Sequence, residues 1–101
     1  MNMNIQNLMR EAQKMQKNLE KTQKELNDTT YEGTSSLVNV VLNGNKNIVS
    51  VKIKATEDFS ADDIELLEDM IMVACNDAVR KIDADKEKKF GKYGNGIAGL
   101  M

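Results

Sequence analysis

Five cations near the N-terminus are the residues with the plainest chemical potential in this sequence: Arg10, Lys14, Lys17, Lys21 and Lys24. Their spacings of four, three, four and three put them on one line along an α-helix. At ~1.5 Å per residue the line is about 21 Å long, enough to follow roughly six phosphates at ~3.4 Å each along a duplex strand. The acids Glu11, Glu20 and Glu25 fall off that line. The competing reading is a solvated face that serves solubility alone. A second basic cluster comprises Arg80, Lys81, Lys86, Lys88, Lys89 and Lys92, but Asp83, Asp85 and Glu87 interrupt it. Lys86, Lys88 and Lys89 are its candidate phosphate contacts, and the interleaved acids rank it second.

Other chemistry has no residues to work with. The 101-residue chain contains no histidine and one cysteine, which excludes histidine-based acid–base catalysis, His-ligated metals and a structural zinc site. Neither phosphate-binding glycine motif occurs. Glu57, Asp58, Asp62, Asp63, Glu65, Glu68 and Asp69 form an acidic block, yet it lacks the alternating ligands and central glycine of a calcium loop. The expectation is a protein with no enzymatic activity, metal, cofactor or small-molecule substrate. The N-terminus lacks the pattern of a secretory signal, and no apolar run approaches the ~18 residues of a membrane span. Lone Cys75 among apolar neighbours suits a reducing cytoplasm. The net charge of -2 does not by itself announce a polyanion partner, so a nucleic-acid reading rests on the local clusters.

The basic line needs a helix to carry it, and residues 3–27 supply one. They contain no Gly or Pro and many Gln, Lys, Glu and Met, all good helix formers. Ile5, Leu8, Ala12, Met15, Leu19, Thr22 and Leu26 recur at alternating spacings of three and four, a narrow seam opposite the cations. A rod of about 37 Å should overhang a domain of this size. Its seam can pack on the C-terminal helix of the same chain or on a second copy. Within residues 29–54, period-2 alternation marks two strands, with Val38, Val40 and Leu42 on one and Val49, Val51 and Ile53 on the other. Asn43-Gly44 between them can take the positive φ angles of a tight turn. Thr29-Thr30-Tyr31 suggests a short third strand.

A long helix is expected over residues 61–89, with Ser60 and Asp63 as a capping box, followed by a flexible glycine-rich tail over 90–101. Met70-Ile71-Met72-Val73-Ala74-Cys75 is apolar on every side of that helix. One small sheet cannot cover it all, so a second subunit is expected there, with Met70, Ile71, Val73 and Ala74 at the dimer interface.

Taken together, the pieces resemble the YbaB/EbfC family of small bacterial nucleoid-associated DNA-binding proteins. The resemblance runs from Asn7-Leu8-Met9-Arg10-Glu11-Ala12-Gln13-Lys14-Met15-Gln16 through Tyr31-Glu32-Gly33, Asn43-Gly44 and Ile48-Val49-Ser50-Val51-Lys52-Ile53. It continues in Leu67-Glu68-Asp69-Met70-Ile71 and Ala74-Cys75-Asn76-Asp77-Ala78. Thr34-Ser35-Ser36 stands where family members often have a glycine-rich linker. The resemblance implies a single domain of α+β fold: long N-terminal helix, three-stranded antiparallel sheet, long C-terminal helix. It also implies a homodimer with protruding helical arms, and cytoplasmic binding of double-stranded DNA in the nucleoid with little sequence preference. A competing function of another class is an acidic dimeric adaptor or chaperone that holds a protein partner between its arms. Its support is the same seam together with Met3, Met9, Met15, Met70 and Met72, because methionine surfaces adapt to varied partners.

Overall fold

Asn4 starts the first helix: its side-chain oxygen accepts from the Gln6 amide at 2.9 Å, satisfying one of the donors that a helix start leaves free. In the computed structural model, which describes residues 4–54 and 58–91, helix α1 then runs over Ile5–Asp28. Thr29 ends it by turning extended, while its amide still donates to Glu25 and Leu26 carbonyls and its hydroxyl donates to the Glu25 carbonyl at 2.6 Å. Strands β1 (Thr30–Thr34), β2 (Val38–Asn43) and β3 (Ile48–Ile53) form an antiparallel sheet in the order β1-β2-β3. Helix α2 (Ile64–Gly91) follows a short 3-10 turn over Ala61–Asp63. Before it, Ser60 and Asp63 form the expected capping box, in which the Ser60 amide donates to Asp63 Oδ2 at 2.8 Å. The helix runs two residues beyond the expected boundary and takes in Phe90, which is buried. Residues 92–101, expected as a flexible tail, lie outside the described residues.

The core lies between β2 and α2. Val38, Val40 and Leu42 point at Ala74, Ala78 and Ile82, with Tyr31, Leu67, Ile71, Cys75 and Val79 at the margins. Small residues on α2 let β1 approach closely. A Cβ on Gly33 would lie 1.9 Å from the Ala74 carbonyl oxygen and 2.6 Å from the Ala78 nitrogen. Polar links hold the same seam: the Thr34 amide donates to Asp77 Oδ2 at 3.1 Å, the Ser35 hydroxyl to the Met70 carbonyl at 2.7 Å, and Lys81 Nζ to the Glu32 carbonyl at 2.7 Å.

Two expectations about the sheet are corrected. The β2–β3 turn does use a positive φ, but at Lys46 (65°) rather than at Gly44. Gly44 is required for close approach instead, since a Cβ there would lie 1.9 Å from the Leu26 carbonyl oxygen at the end of α1. Asn43 shapes the turn by accepting from the Asn45 and Asn47 amides at 2.9 and 3.1 Å. The second correction concerns β3, whose alternation predicts one buried face. Val51 pairs opposite Val40, and Ile53 opposite Val38, yet both are 46% exposed. The reason is the placement of α2, which packs on β1 and β2 and leaves β3 without a cover.

Candidate nucleic-acid interface

The cationic line is presented on an arm that leaves the body. β1 runs antiparallel to α2: its Thr34 lies beside Asp77 and its Tyr31 beside Asp85, further along the helix. α1 ends one residue before β1, and so it departs at the C-terminal end of α2. The molecule is 76 Å long and only 20 by 14 Å across. α2 with its 28 residues accounts for about 42 Å. Most of the remainder is α1, extending past the end of α2. The expected overhang of the first helix is therefore present.

Three contacts fix the base of this arm. The first is the Gly44–Leu26 approach, reinforced by the Gly44 amide donating to the Thr29 carbonyl at 3.1 Å. The second is an ion pair of 3.0 Å between Lys46 in the turn and Asp83 on α2. The third joins Tyr31, Asp85 and Lys89: the Tyr31 hydroxyl donates to Asp85 Oδ2, and Lys89 Nζ donates to the same oxygen at 2.5 Å. Burial, the Asp85 hydrogen bond and the Asp85 charge push the Tyr31 hydroxyl up to about 12. The Lys89 and Tyr31 hydrogen bonds hold the Asp85 carboxyl below its usual range. The Asp77 carboxyl is lowered as well, chiefly by the Thr34 amide it accepts from, with Lys81 and Arg80 adding to the effect.

Arg10, Lys14, Lys17, Lys21 and Lys24 are all exposed on α1, and among the described residues none of them joins an ion pair. The opposite stripe is sorted by position. Thr22 and Leu26 are buried where α1 meets α2, Leu19 is half-buried, and Ile5, Leu8, Ala12 and Met15 are exposed. The second cluster is arranged differently. Lys89 is committed to Asp85, and Arg80 and Lys81 each lie 3.4 Å from Asp77 carboxylate oxygens, while Lys86 and Lys88 carry no ion pair among the described residues. The acids Asp58, Asp62, Asp63, Glu65, Glu68 and Asp69 lie toward the other end of α2, and the nearest of them, Asp69, is about 25 Å from Lys86 along its axis. That is several times the ~8 Å Debye length at physiological salt, so the arm is electrostatically separate from the acidic end.

Of the four residues expected at a dimer interface, Ala74 is fully buried in the chain's own core under Gly33. Met70 and Ile71 are half-buried at the core's margin, and Val73 is 53% exposed. Sequence reasoning missed the larger apolar surface. Ile48, Val49, Val51 and Ile53 on β3, with Ile64, Leu66 and Met72 on α2, are each exposed by nearly half or more. The available signal was the shortage of helices: one helix cannot cover three strands and hide its own other faces.

A sequence model of the YbaB/EbfC DNA-binding family matches residues 1–97. A nucleoid-associated protein of Ligilactobacillus salivarius is 40% identical over 100 residues, covering 97% of this chain and 95% of that protein. One from Streptococcus suis is 44% identical over 93 residues, with 90% and 93% covered. A third, from Legionella pneumophila, is 41% identical over 98 residues, with 95% and 86% covered. The crystal structure of an uncharacterized protein from Helicobacter pylori shares the fold, with a TM-score of 0.73 at 23% identity over 92% of this chain and all of that one.

Proposed function

Because the chain belongs to the YbaB/EbfC DNA-binding family, we propose that it is a nucleoid-associated protein that grips duplex DNA by its phosphates through the exposed face of α1. The observation that carries this reading is the line from Arg10 to Lys24: five exposed cations, unpaired among the described residues, on an arm that clears the body and points away from the acidic end. Each cation that neutralises a phosphate releases condensed counterions, and that release favours binding without reading sequence. Five contacts would give an affinity that falls with salt at a slope of about 4.5 per engaged arm. The cytoplasmic nucleoid is the location this function requires. Organising the nucleoid and influencing transcription follow from coating or bridging DNA.

The same proposal makes the working unit a homodimer. Ile48, Val49, Val51 and Ile53 on β3 and Leu66, Met72 and Val73 on α2 leave large apolar side chains in water, the kind of surface that marks a protein interface when contiguous. A second copy would cover them and leave two arms free, each presenting one cationic line. Competition and direct titration test the function: fluorescent duplexes of unrelated sequence should bind with similar affinity and share one steep salt dependence. An affinity indifferent to salt, or confined to one base sequence, would contradict the phosphate-contact reading. Tight capture of a protein partner with no DNA binding would favour the adaptor alternative.

A further inference from the structure

The stripe of α1 opposite the cations has no role in the proposed DNA contact, and its surroundings change along the arm. At the base, Thr22 and Leu26 are buried where α1 meets α2. Toward the tip, Ile5, Leu8 and Met15 are 71%, 48% and 40% exposed, with Ala12 exposed between them. The tip thus continues a seam that already packs helix on helix. The positions directly flanking it are Met9 and Gln16 on one side and Glu11 and Asn18 on the other. None of these four is a cation, so a second helix can approach the seam without meeting the basic line.

The stripe is complementary to its own copy when the two run antiparallel. Laid over itself, the exposed stretch sets Ile5 opposite the second Met15 and Leu8 opposite the second Ala12. Ala12 floors a shallow groove bordered by Glu11, Lys14, Met15 and Asn18, which a leucine from the facing helix can fill. Met9, 57% exposed, meets its own copy on one flank, and Glu11 meets its own copy on the other. The two cationic lines then face outward in opposite directions, about 20 Å apart given the helix diameter and spacing. That distance exceeds the ~8 Å Debye length at physiological salt, so repulsion between the lines is screened. Leu26 lies sixteen residues from the centre of the overlap, so the arm bases stand about 48 Å apart, with each body extending further away. Arms paired in this way belong to separate dimers.

We propose that the α1 tips of two dimers pair antiparallel through Ile5, Leu8, Ala12 and Met15, joining the duplexes held on their two outward cationic lines. The inference rests on the phosphate-contact reading of the same arm and supplies the contact by which bound molecules bridge DNA. An interface of four residues a side is small, so pairing is weak between free molecules. Arms held along a duplex meet at a raised effective concentration, which couples bridging to occupancy of the DNA. The like-charged Glu11 pair is the one unfavourable contact in this register.

Capture of a labelled duplex by a bead-bound duplex measures bridging, and anisotropy of a single duplex measures binding in parallel. The Leu8→Gln/Met15→Gln variant keeps α1 helical, because glutamine favours helix, and circular dichroism checks this. It should bind a single duplex within about twofold of the wild type while capture falls at least about tenfold. Glu11→Gln should raise capture, compared at equal occupancy of the bead-bound duplex. Capture that survives the double substitution would overturn the proposal, since bridging would then run through the two arms of one dimer. Single-duplex affinity falling in step with capture would also overturn it, by assigning the stripe to DNA. A wild type that binds single duplexes but captures no second one would refute arm pairing and leave the phosphate-contact reading standing, whereas absence of single-duplex binding would refute both.

Discussion

Gly33→Ala is the sharpest test of how the sheet holds α2. An added Cβ would sit 1.9 Å from the Ala74 carbonyl oxygen, 2.6 Å from the Ala78 nitrogen and 2.8 Å from the Ala78 Cβ. Ordinary contact begins near 3.4 Å, so β1 and α2 must separate by roughly 1.5 Å. The obstacles are helix backbone and a methyl carbon bonded to it, none of which can rotate away. Separation of that size stretches the three polar links across the seam, at Thr34–Asp77, Ser35–Met70 and Lys81–Glu32. Overpacking alone costs typically 1–3 kcal/mol, and weakened hydrogen bonds add about 0.5–1.5 kcal/mol each. A loss of about 3 kcal/mol is therefore expected, equivalent to roughly 12–24 °C in Tm for a domain of this size. Urea unfolding followed by circular dichroism at fixed protein concentration measures it. A variant within about 0.5 kcal/mol of the wild type would refute the reasoning, because β1 and α2 could then not be in the contact described.

The proposed homodimer predicts that Val73→Asp, a charge at an exposed apolar position of α2 that is costly to bury unpaired, sediments as a monomer with α2 still helical; a dimeric variant would remove Val73 from the proposed interface. Tyr31 stays protonated in the fold up to about pH 12, whereas the unfolded chain ionises near pH 10. Between those values the unfolded state binds fewer protons, so stability falls as pH rises. Tyr31→Phe should flatten that alkaline limb in urea midpoints, and an identical profile would exclude the Tyr31–Asp85 contact as its source. The Asp85 carboxyl is lowered in the fold, so its stabilisation is present above the unfolded value of ~3.9 and is lost as pH drops through its lower native value. Asp85→Asn should accordingly weaken acid destabilisation, and an acid limb as steep as the wild type's would count against it.

Much of the fold is written in local pattern. The three-and-four spacing of α1, the alternation of β2 and the Ser60–Asp63 cap each come from side chains close in sequence, and each is present in the structure. What local pattern does not reveal is which element covers which. Val49, Val51 and Ile53 alternate like a buried face, but their exposure is decided by where α2 lies, a matter of tertiary packing. Ala74 sits in an apolar run that looks suited to a partner, yet the missing side chain of Gly33, forty-one residues away, brings β1 down on it. Gly44 illustrates the same limit, since its need to lack a Cβ arises from Leu26 rather than from the turn. The cationic line was legible as a periodicity. Its separation from the acidic block required knowing that α1 leaves from the far end of α2.

In the proposed complex the α1 line, and not the molecule's overall charge, contacts phosphate. Lys14, Lys17 and Lys21 changed together to Gln should keep α1 helical, because both residue types favour helix, and all three lie away from its buried residues. Fluorescence anisotropy of a random duplex, titrated at several salt concentrations, gives affinity and slope together. Weaker binding and a slope reduced by about 2.7 per engaged arm are expected, with circular dichroism and sedimentation unchanged. A folded triple variant of unchanged oligomeric state that keeps wild-type affinity and slope would contradict it.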